Sequence, residues 1–393
     1  MAKGTLEWHL PYYINSVIVL GLIFTFESHR NQFFGLWVIY AVLPLIDMII
    51  PDDNINPTPE ESKVLAKQFK WKIPLYLFIF VEWYASYFSL WVCTTYELTN
   101  FQLFIHVISI AHTHSLGFLF AHELFHKKNI FEITVGTLDM LKNLYMHFYL
   151  EHIYGHHKYV STPEDPATAK YNQTLYSFLY QTVTGSLKNT WKREVEHLKK
   201  QQKSIFSLNN RLLCYLLLEL FMLVLVYLWF GRIGLIIFIA EAAFSVFILE
   251  TINYIRHYGL MRKQTSPGVY EQVSIKHSWN APQWFQNCLL LKLQRHSDHH
   301  ANSYKPYQCL LSLDDSPTLP GGYIALMTLA MIPPLWFLIM NPIALEANSL
   351  KPPKTSAFKL CKQRYTVWIF AQSAAFTFLV QYGGISQFKR IGS

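Results

Sequence analysis

Apolar residues along this chain gather into long blocks, and six of them are candidates for membrane-spanning helices: about 11–26, 33–50, 73–93, 101–121, 212–230 and 233–250. Several are short or interrupted by polar residues. Glu82, His106, His112, His114, Glu219 and Glu241 fall inside them, and ionisable groups at that depth are expected to face a bundle interior or a cavity. Further along, 323–340 is apolar but carries Pro333-Pro334, which fits a re-entrant or interfacial piece. The 365–382 stretch reads as a seventh span or an amphipathic anchor. The polar segment PDDNINPTPEES at 51–62 reads as a loop.

Composition agrees with a membrane protein. Only 15% of the 393 residues are charged, against roughly 25% in ordinary soluble domains. The first apolar block follows a lone Lys3 and lacks a small-residue cleavage pattern, so it reads as a retained helix and not as a signal peptide.

Charge then orients the chain. With the N-terminus cytoplasmic, the outward connections 27–32, 94–100 and 231–232 hold only Arg30 and Arg232. The inward ones are basic: Lys63, Lys67, Lys70 and Lys72 in 51–72, with Lys127, Lys128, Lys199, Lys200, Lys203 and Arg211 flanking the ends of 122–211. The net charge of +8 is thus explained by membrane orientation, and no nucleic-acid partner is expected. Five scattered cysteines, Cys93, Cys214, Cys288, Cys309 and Cys361, form no CxxC motif, which leaves no zinc ribbon, iron–sulfur site or fused rubredoxin.

Nine histidines lie in four short runs, all on the cytoplasmic side in this topology: His122 and His126 in HELFHK, His152, His156 and His157 in EHIYGHH, His257 in NYIRHYG, and His296, His299 and His300 in RHSDHH. Neutral imidazole is a common metal ligand, and nine exceed what one ion accepts, so two ions are expected. On a helix His122 and His126 share a face, and so do His152 and His156, while His157 points about 100° away toward a second ion. His296 with His299 and His300 again forms a face plus a neighbour.

Imidazole spacing does not choose the metal. A lipid-soluble substrate offers mostly C–H bonds, whose attack with O2 needs a redox-active metal that zinc cannot replace. HELFH also matches the HExxH pattern of zinc proteases, with Glu123 as base, but that reading leaves most of the histidines unused.

The motifs HELFHK, MHFYLEHIYGHHKYVSTPEDPAT, NYIRHYGL, HSWN and LQRHSDHHA resemble those of the membrane-bound alkane 1-monooxygenases, within the fatty acid desaturase and hydroxylase superfamily. The likeness runs from about LPLID at 43–47 to IPPLWF at 332–337. It implies an all-α integral membrane fold of about six transmembrane helices, with a cytoplasmic-side helical cap carrying a histidine-rich dimetal site. It also implies two non-haem irons held by the nine histidines, O2 as co-substrate, and a tunnel for a linear alkane or alkyl chain. An external electron donor, rubredoxin or a similar small redox protein, would supply reductant. Glu123, Glu151 and Asp298 are expected to orient ligand imidazoles through their other ring nitrogen.

His112, His114, His147 and His277 are expected to be structural or supporting, and Trp83, Tyr84 and Tyr87 to pack or to lie at the membrane interface. Two positions depart from the pattern: Phe125 stands where HELGHK has glycine, and Arg256 where an acidic residue precedes HYG. The expected organisation is a single membrane-embedded domain over 1–345 and an extension over 346–393, in the endoplasmic reticulum of a eukaryote or the inner membrane of a bacterium. Rival readings are a fatty-acyl or sterol desaturase or hydroxylase, an intramembrane zinc protease, and a non-catalytic membrane subunit.

Overall fold

Each of the six apolar blocks contains a helix in the computed structural model, which describes residues 9–29, 34–349, 356–382 and 389–390. The first four are α1 (Ile14–His29), α2 (Phe34–Ile49), α3 (Ile73–Thr95) and α4 (Asn100–Phe125). Helix α4 starts sharply because Thr99 and Gln102 form a reciprocal capping box. A short helix, α5 (Ile130–Asp139), folds back on α4, and α6 (Leu175–Lys200) leads through a turn into α7 (Arg211–His257). Gly231, with φ +65° and ψ −165°, breaks α7 between the two apolar blocks it spans. Phe69–Thr95, Asn100–Phe125 and Arg211–His257 are long and apolar enough to cross a membrane, and Leu10–Phe24 and Phe34–Ile49 are shorter apolar helices.

Polarity is arranged inside out. Phe80, Tyr87, Phe221, Leu228, Trp229 and Ile236 are exposed, while Glu82, His106, His114 and Glu241 are buried within the bundle. In water that exchange would be costly; in hydrocarbon the outward apolar faces are solvated and the polar groups must pair inside. They do so. Ser89 links His106 on α4 (2.9 Å) to Glu241 on α7, Tyr40 pairs with His112 (2.5 Å), and Lys142 lies between Glu82 (3.0 Å) and Asp139 (2.7 Å). Tyr84 and Tyr87 face outward, whereas Trp83 lies beneath the Lys142 ammonium.

The loop and the two tail segments are largely helical. The 51–62 loop ends in a helix at Pro59–Leu65, because Thr58 and Glu61 form a second capping box. The 323–340 block is two helices, α9 (Tyr323–Ala330) and α10 (Pro333–Asn348), divided at the proline pair, and α9 is buried throughout most of its length. Helix α11 (Ser356–Tyr382) covers 365–382 and docks on the bundle. A π-turn at Val38–Val42 in α2 leaves carbonyls free, and Gln372 and Ser373 of α11 donate to those of Tyr40 (2.7 Å) and Ala41 (3.1 Å). The only strands among the described residues are short pairs, including the hairpin Gln264–Ser266 with Val269–Tyr270.

The described core runs from the bundle into the cap. Phe78 stacks on Phe120 between α3 and α4 (4.0 Å between centroids), Tyr12, Trp71 and Tyr307 pack edge to face, and Tyr254 and Tyr258 enclose Trp336. Phe125 is accommodated from the opposite helix: a Cβ at Gly136 of α5 would sit 2.9 Å from the Ala121 carbonyl and 3.2 Å from the Phe125 ring. Gly136 keeps the two helices close.

Candidate metal centre

The four histidine runs come from distant parts of the chain and meet at one end of the bundle. His122 and His126 end α4, His257 ends α7, His152, His156 and His157 lie on one irregular turn, and His296, His299 and His300 lie on α8, here the short helix His296–Ala301. They form two groups: His122, His126, His152, His157 and His299, and beside it His156, His257, His296 and His300. Within each group the candidate ligand atoms lie within 4.8 Å of one another.

The sharing of histidines between groups differs from the α-helical expectation at one run. His152 pairs with His157, not with His156, because His152–His156 is a π-helix and the His157 backbone N–H donates to the His152 carbonyl five residues back. The wider turn stacks residues five apart and swings His156 into the second group. In RHSDHH, His296 and His300 share the second group and His299 crosses to the first.

The imidazole nitrogens suit metal ions. Five close approaches are between Nε2 atoms: His126 to His152 at 3.2 Å, His152 to His157 at 2.9 Å, His157 to His299 at 3.2 Å, His257 to His296 at 3.2 Å and His296 to His300 at 3.0 Å. Nitrogens bound at ~2.1 Å to one ion along perpendicular directions lie ~3 Å apart. Nε2 of His122 is buried without a hydrogen-bond partner. Burial, followed by the charge of Lys127, pushes His126 down to about 3, and burial with neighbouring imidazoles holds His152, His157, His299 and His300 well below the usual histidine range. All are therefore neutral near pH 7, the form that donates a lone pair to a metal.

The supporting carboxylates are not those expected. Among the described residues no hydrogen bond joins Glu123, Glu151 or Asp298 to an imidazole. Each instead pins the segment that carries the histidines. Glu123 takes Lys127 and the Tyr307 backbone N–H (3.2 Å); Glu151 takes Arg193 and Thr190; Asp298 takes Lys305 (2.9 Å) and the Leu311 N–H (2.9 Å). The bonded oxygens go to ammonium, guanidinium, hydroxyl and backbone donors, and Glu151 Oε1 is buried without a partner.

The carboxylate that does orient an imidazole is Asp165. Its Oδ2 accepts from His156 Nδ1 at 2.9 Å and from Thr168 Oγ1 at 2.7 Å, which fixes the His156 proton on Nδ1 and leaves Nε2 for a metal. Its only mark in the sequence is a place in the Pro163–Pro166 turn just after the second run. Arg295 was equally unforeseen: its buried guanidinium donates to the carbonyls of Leu310 (2.6 Å), Asp53 (3.1 Å) and Ile55 (3.1 Å) and pairs with Asp53 Oδ2 (2.9 Å), fastening the 51–56 loop to the fourth run. His112, His114, His147 and His277 lie outside both groups.

The fatty acid desaturase family profile matches residues 99–340, the stretch that contains all nine histidines. Alkane 1-monooxygenase of Acinetobacter baylyi is 35% identical over 309 residues, covering 79% of this chain and 76% of its own length. Alkane 1-monooxygenase 1 of Pseudomonas aeruginosa is 33% identical over 84% of this chain and 89% of its own. The chain belongs to the alkane 1-monooxygenase family. Membership makes it an oxidoreductase within the broader fatty acid desaturase family. The xylene/toluene monooxygenase hydroxylase component XylM of Pseudomonas putida is a more distant relative, 31% identical over 56% of this chain and 59% of its own.

Within that family, the HExxH run does not stand as a separate protease motif. His122 and His126 share their group with three further histidines, and Glu123 is bound to Lys127 and to the Tyr307 backbone. Arg256, the unusual residue before HYG, is 4% exposed, and its guanidinium lies over the Tyr323 ring, 5.2 Å from the centroid.

Proposed function

We propose that the protein is an O2-dependent hydroxylase of the terminal carbon of linear alkanes or alkyl chains, with two iron ions held by the nine histidines. The observation that carries this reading is the convergence of nine imidazoles into two adjacent groups in a chain related to alkane 1-monooxygenases. When bound, two redox-active irons supply the activation of O2 that cleavage of an unactivated C–H bond requires. The chain's own residues bind and orient: His156 is held by Asp165, and the second group is buried from water.

An apolar cavity among α1 to α4, lined by Val19, Ile23, Ala85, Phe88 and Thr113, suits an alkyl chain. Thr113 precedes His122 by nine residues on the same helix, ~13 Å along its axis, a span a medium-length chain could bridge. We assign 1–345 to one membrane-embedded domain with six spans, two of them the halves of α7, and 346–393 to an extension that packs on it. The histidine cap is assigned to the cytoplasmic side, in the inner membrane of a bacterium or the endoplasmic reticulum of a eukaryote. The electrons are assigned to a small redox protein such as rubredoxin.

Metal analysis of the detergent-purified protein beside His299→Ala tests the reading. Close to two irons per chain, fewer in the variant, and a primary alcohol from an alkane with a reductant are the expected results. One zinc without iron, or an unsaturated product, would overturn it. Modification of the Asn172-Gln173-Thr174 sequon in a eukaryotic cell would reverse the assigned sidedness.

A further inference from the structure

The charge balance around the two histidine groups is incomplete. Nine imidazoles bring no negative charge, and Asp165 is the one carboxylate among the described residues that hydrogen-bonds any of them. Two divalent ions would therefore face one carboxylate bonded to a ligand, with Glu250 also in electrostatic reach of His156. Arg256 adds another cation. It precedes His257 on α7, and its charge acts on His122 of the first group and on His257 and His296 of the second. No ion pair is formed by it among the described residues, whereas the buried Arg295 near the cap pairs with Asp53.

The guanidinium is also incompletely used. Its face is covered by Tyr323, but Nε and Nη2 are buried with no hydrogen-bond partner. Those two nitrogens form one edge of the guanidinium, the parallel pair of N–H donors that matches the two oxygens of a carboxylate. Tyr323 also hydrogen-bonds the guanidinium, but two buried donors left without an acceptor are unfavourable.

We propose that Arg256 binds a planar two-oxygen anion of the carboxylate class, held by its Nε and Nη2 edge beside the two histidine groups. This rests on the reading that those groups bind metal. The anion supplies the negative charge that the position lacks, since a basic residue occupies the place that is acidic in the pattern the motifs resemble. Either a small soluble carboxylate or the carboxyl end of a fatty acid has this chemistry.

The test is equilibrium dialysis of the metal-loaded protein, prepared in carboxylate-free buffer, against radiolabelled formate. Metal content and the rate of metal release to a chelator are followed on the same samples. About one formate per chain is expected for the wild type, and none for Arg256→Met or Arg256→Glu. Formate should slow metal release roughly tenfold in the wild type and leave Arg256→Met unchanged. Arg256→Glu should release metal slowly with or without formate, because the side chain now carries the carboxylate. Displacement of formate by dodecanoate would identify the fatty-acid source, and no displacement the soluble one. If Arg256→Met binds formate as the wild type does, or if the metal-loaded wild type binds none, the proposal fails while the metal centre stands. A wild type without metal would remove the functional reading beneath it.

Discussion

The two histidine groups are built from the same residue type in different settings. In the first, His126 and His157 are half-buried, and its members come from α4, the π-turn and α8. The second is buried at all four positions, closes the end of α7, and has both Asp165 and Arg256 beside it. One site is thus partly exposed at two of its histidines, while the other is buried throughout and has one histidine held by a carboxylate. The difference shows that ligand count alone does not describe such a centre; burial and the partners of the far ring nitrogens set how firmly each ion is held.

Removing one ligand from each group breaks the comparison most strongly. His299→Ala should empty the first group and His296→Ala the second, each abolishing alcohol formation. Metal analysis should show loss of about half the metal in either case, and loss of all of it from one variant would mean the groups do not fill independently. Asp165→Asn acts more gently and on one side only. Metal at the second group should weaken by roughly 10–100-fold, read by chelator competition, with the first group unmoved. Equal weakening at both groups would show that Asp165 holds the cap as a whole.

Much of this was legible from residue order alone. The six apolar blocks each contain a helix, and the division of the last two at 231–232 falls where Gly231 takes its positive φ. The four histidine runs were visible because ligand types cluster visibly in sequence. Their division between groups was not, since it depends on the π-turn at His152–His156, and EHIYGHH carries no mark separating a five-residue turn from a four-residue one. Asp165 and Arg295 were missed for a related reason: each acts through contacts set by folding, Arg295 with carbonyls about 240 residues away. Conversely, Glu123, Glu151 and Asp298 lie inside the runs but are turned toward cations and backbone donors. Adjacency in sequence says little about direction in space.

The π-turn itself can be tested at Gly155. A Cβ there would run into the Arg193 guanidinium where it meets Glu151. Gly155→Ala should therefore force apart the Arg193–Glu151 pair, lower stability by about 2 kcal/mol, and disturb the His152–His157 pairing more than the second group. Thermal unfolding with metal analysis separates the two effects, and a variant with wild-type metal content at both groups would show that the turn tolerates the side chain.

Lys292 marks the limit of the contrast, because it precedes the run that feeds both groups and should affect them alike. It is buried beside Arg295, and burial followed by that neighbouring charge lowers its pKa from 10.5 to about 8. Between those values the unfolded chain binds a proton that the folded chain does not, so stability rises with pH across the window and is least where Lys292 is charged in both states. Lys292→Met removes the titrating group while keeping its length. At pH 7 it should unfold at a higher temperature, by an amount on the order of 2 kcal/mol, and the gain should shrink as pH rises from 8 toward 10.5. The left-handed backbone at this position, φ +51°, is equally strained for either side chain, so it cancels from the comparison. A gain that does not change with pH would trace the effect to packing and not to the buried charge.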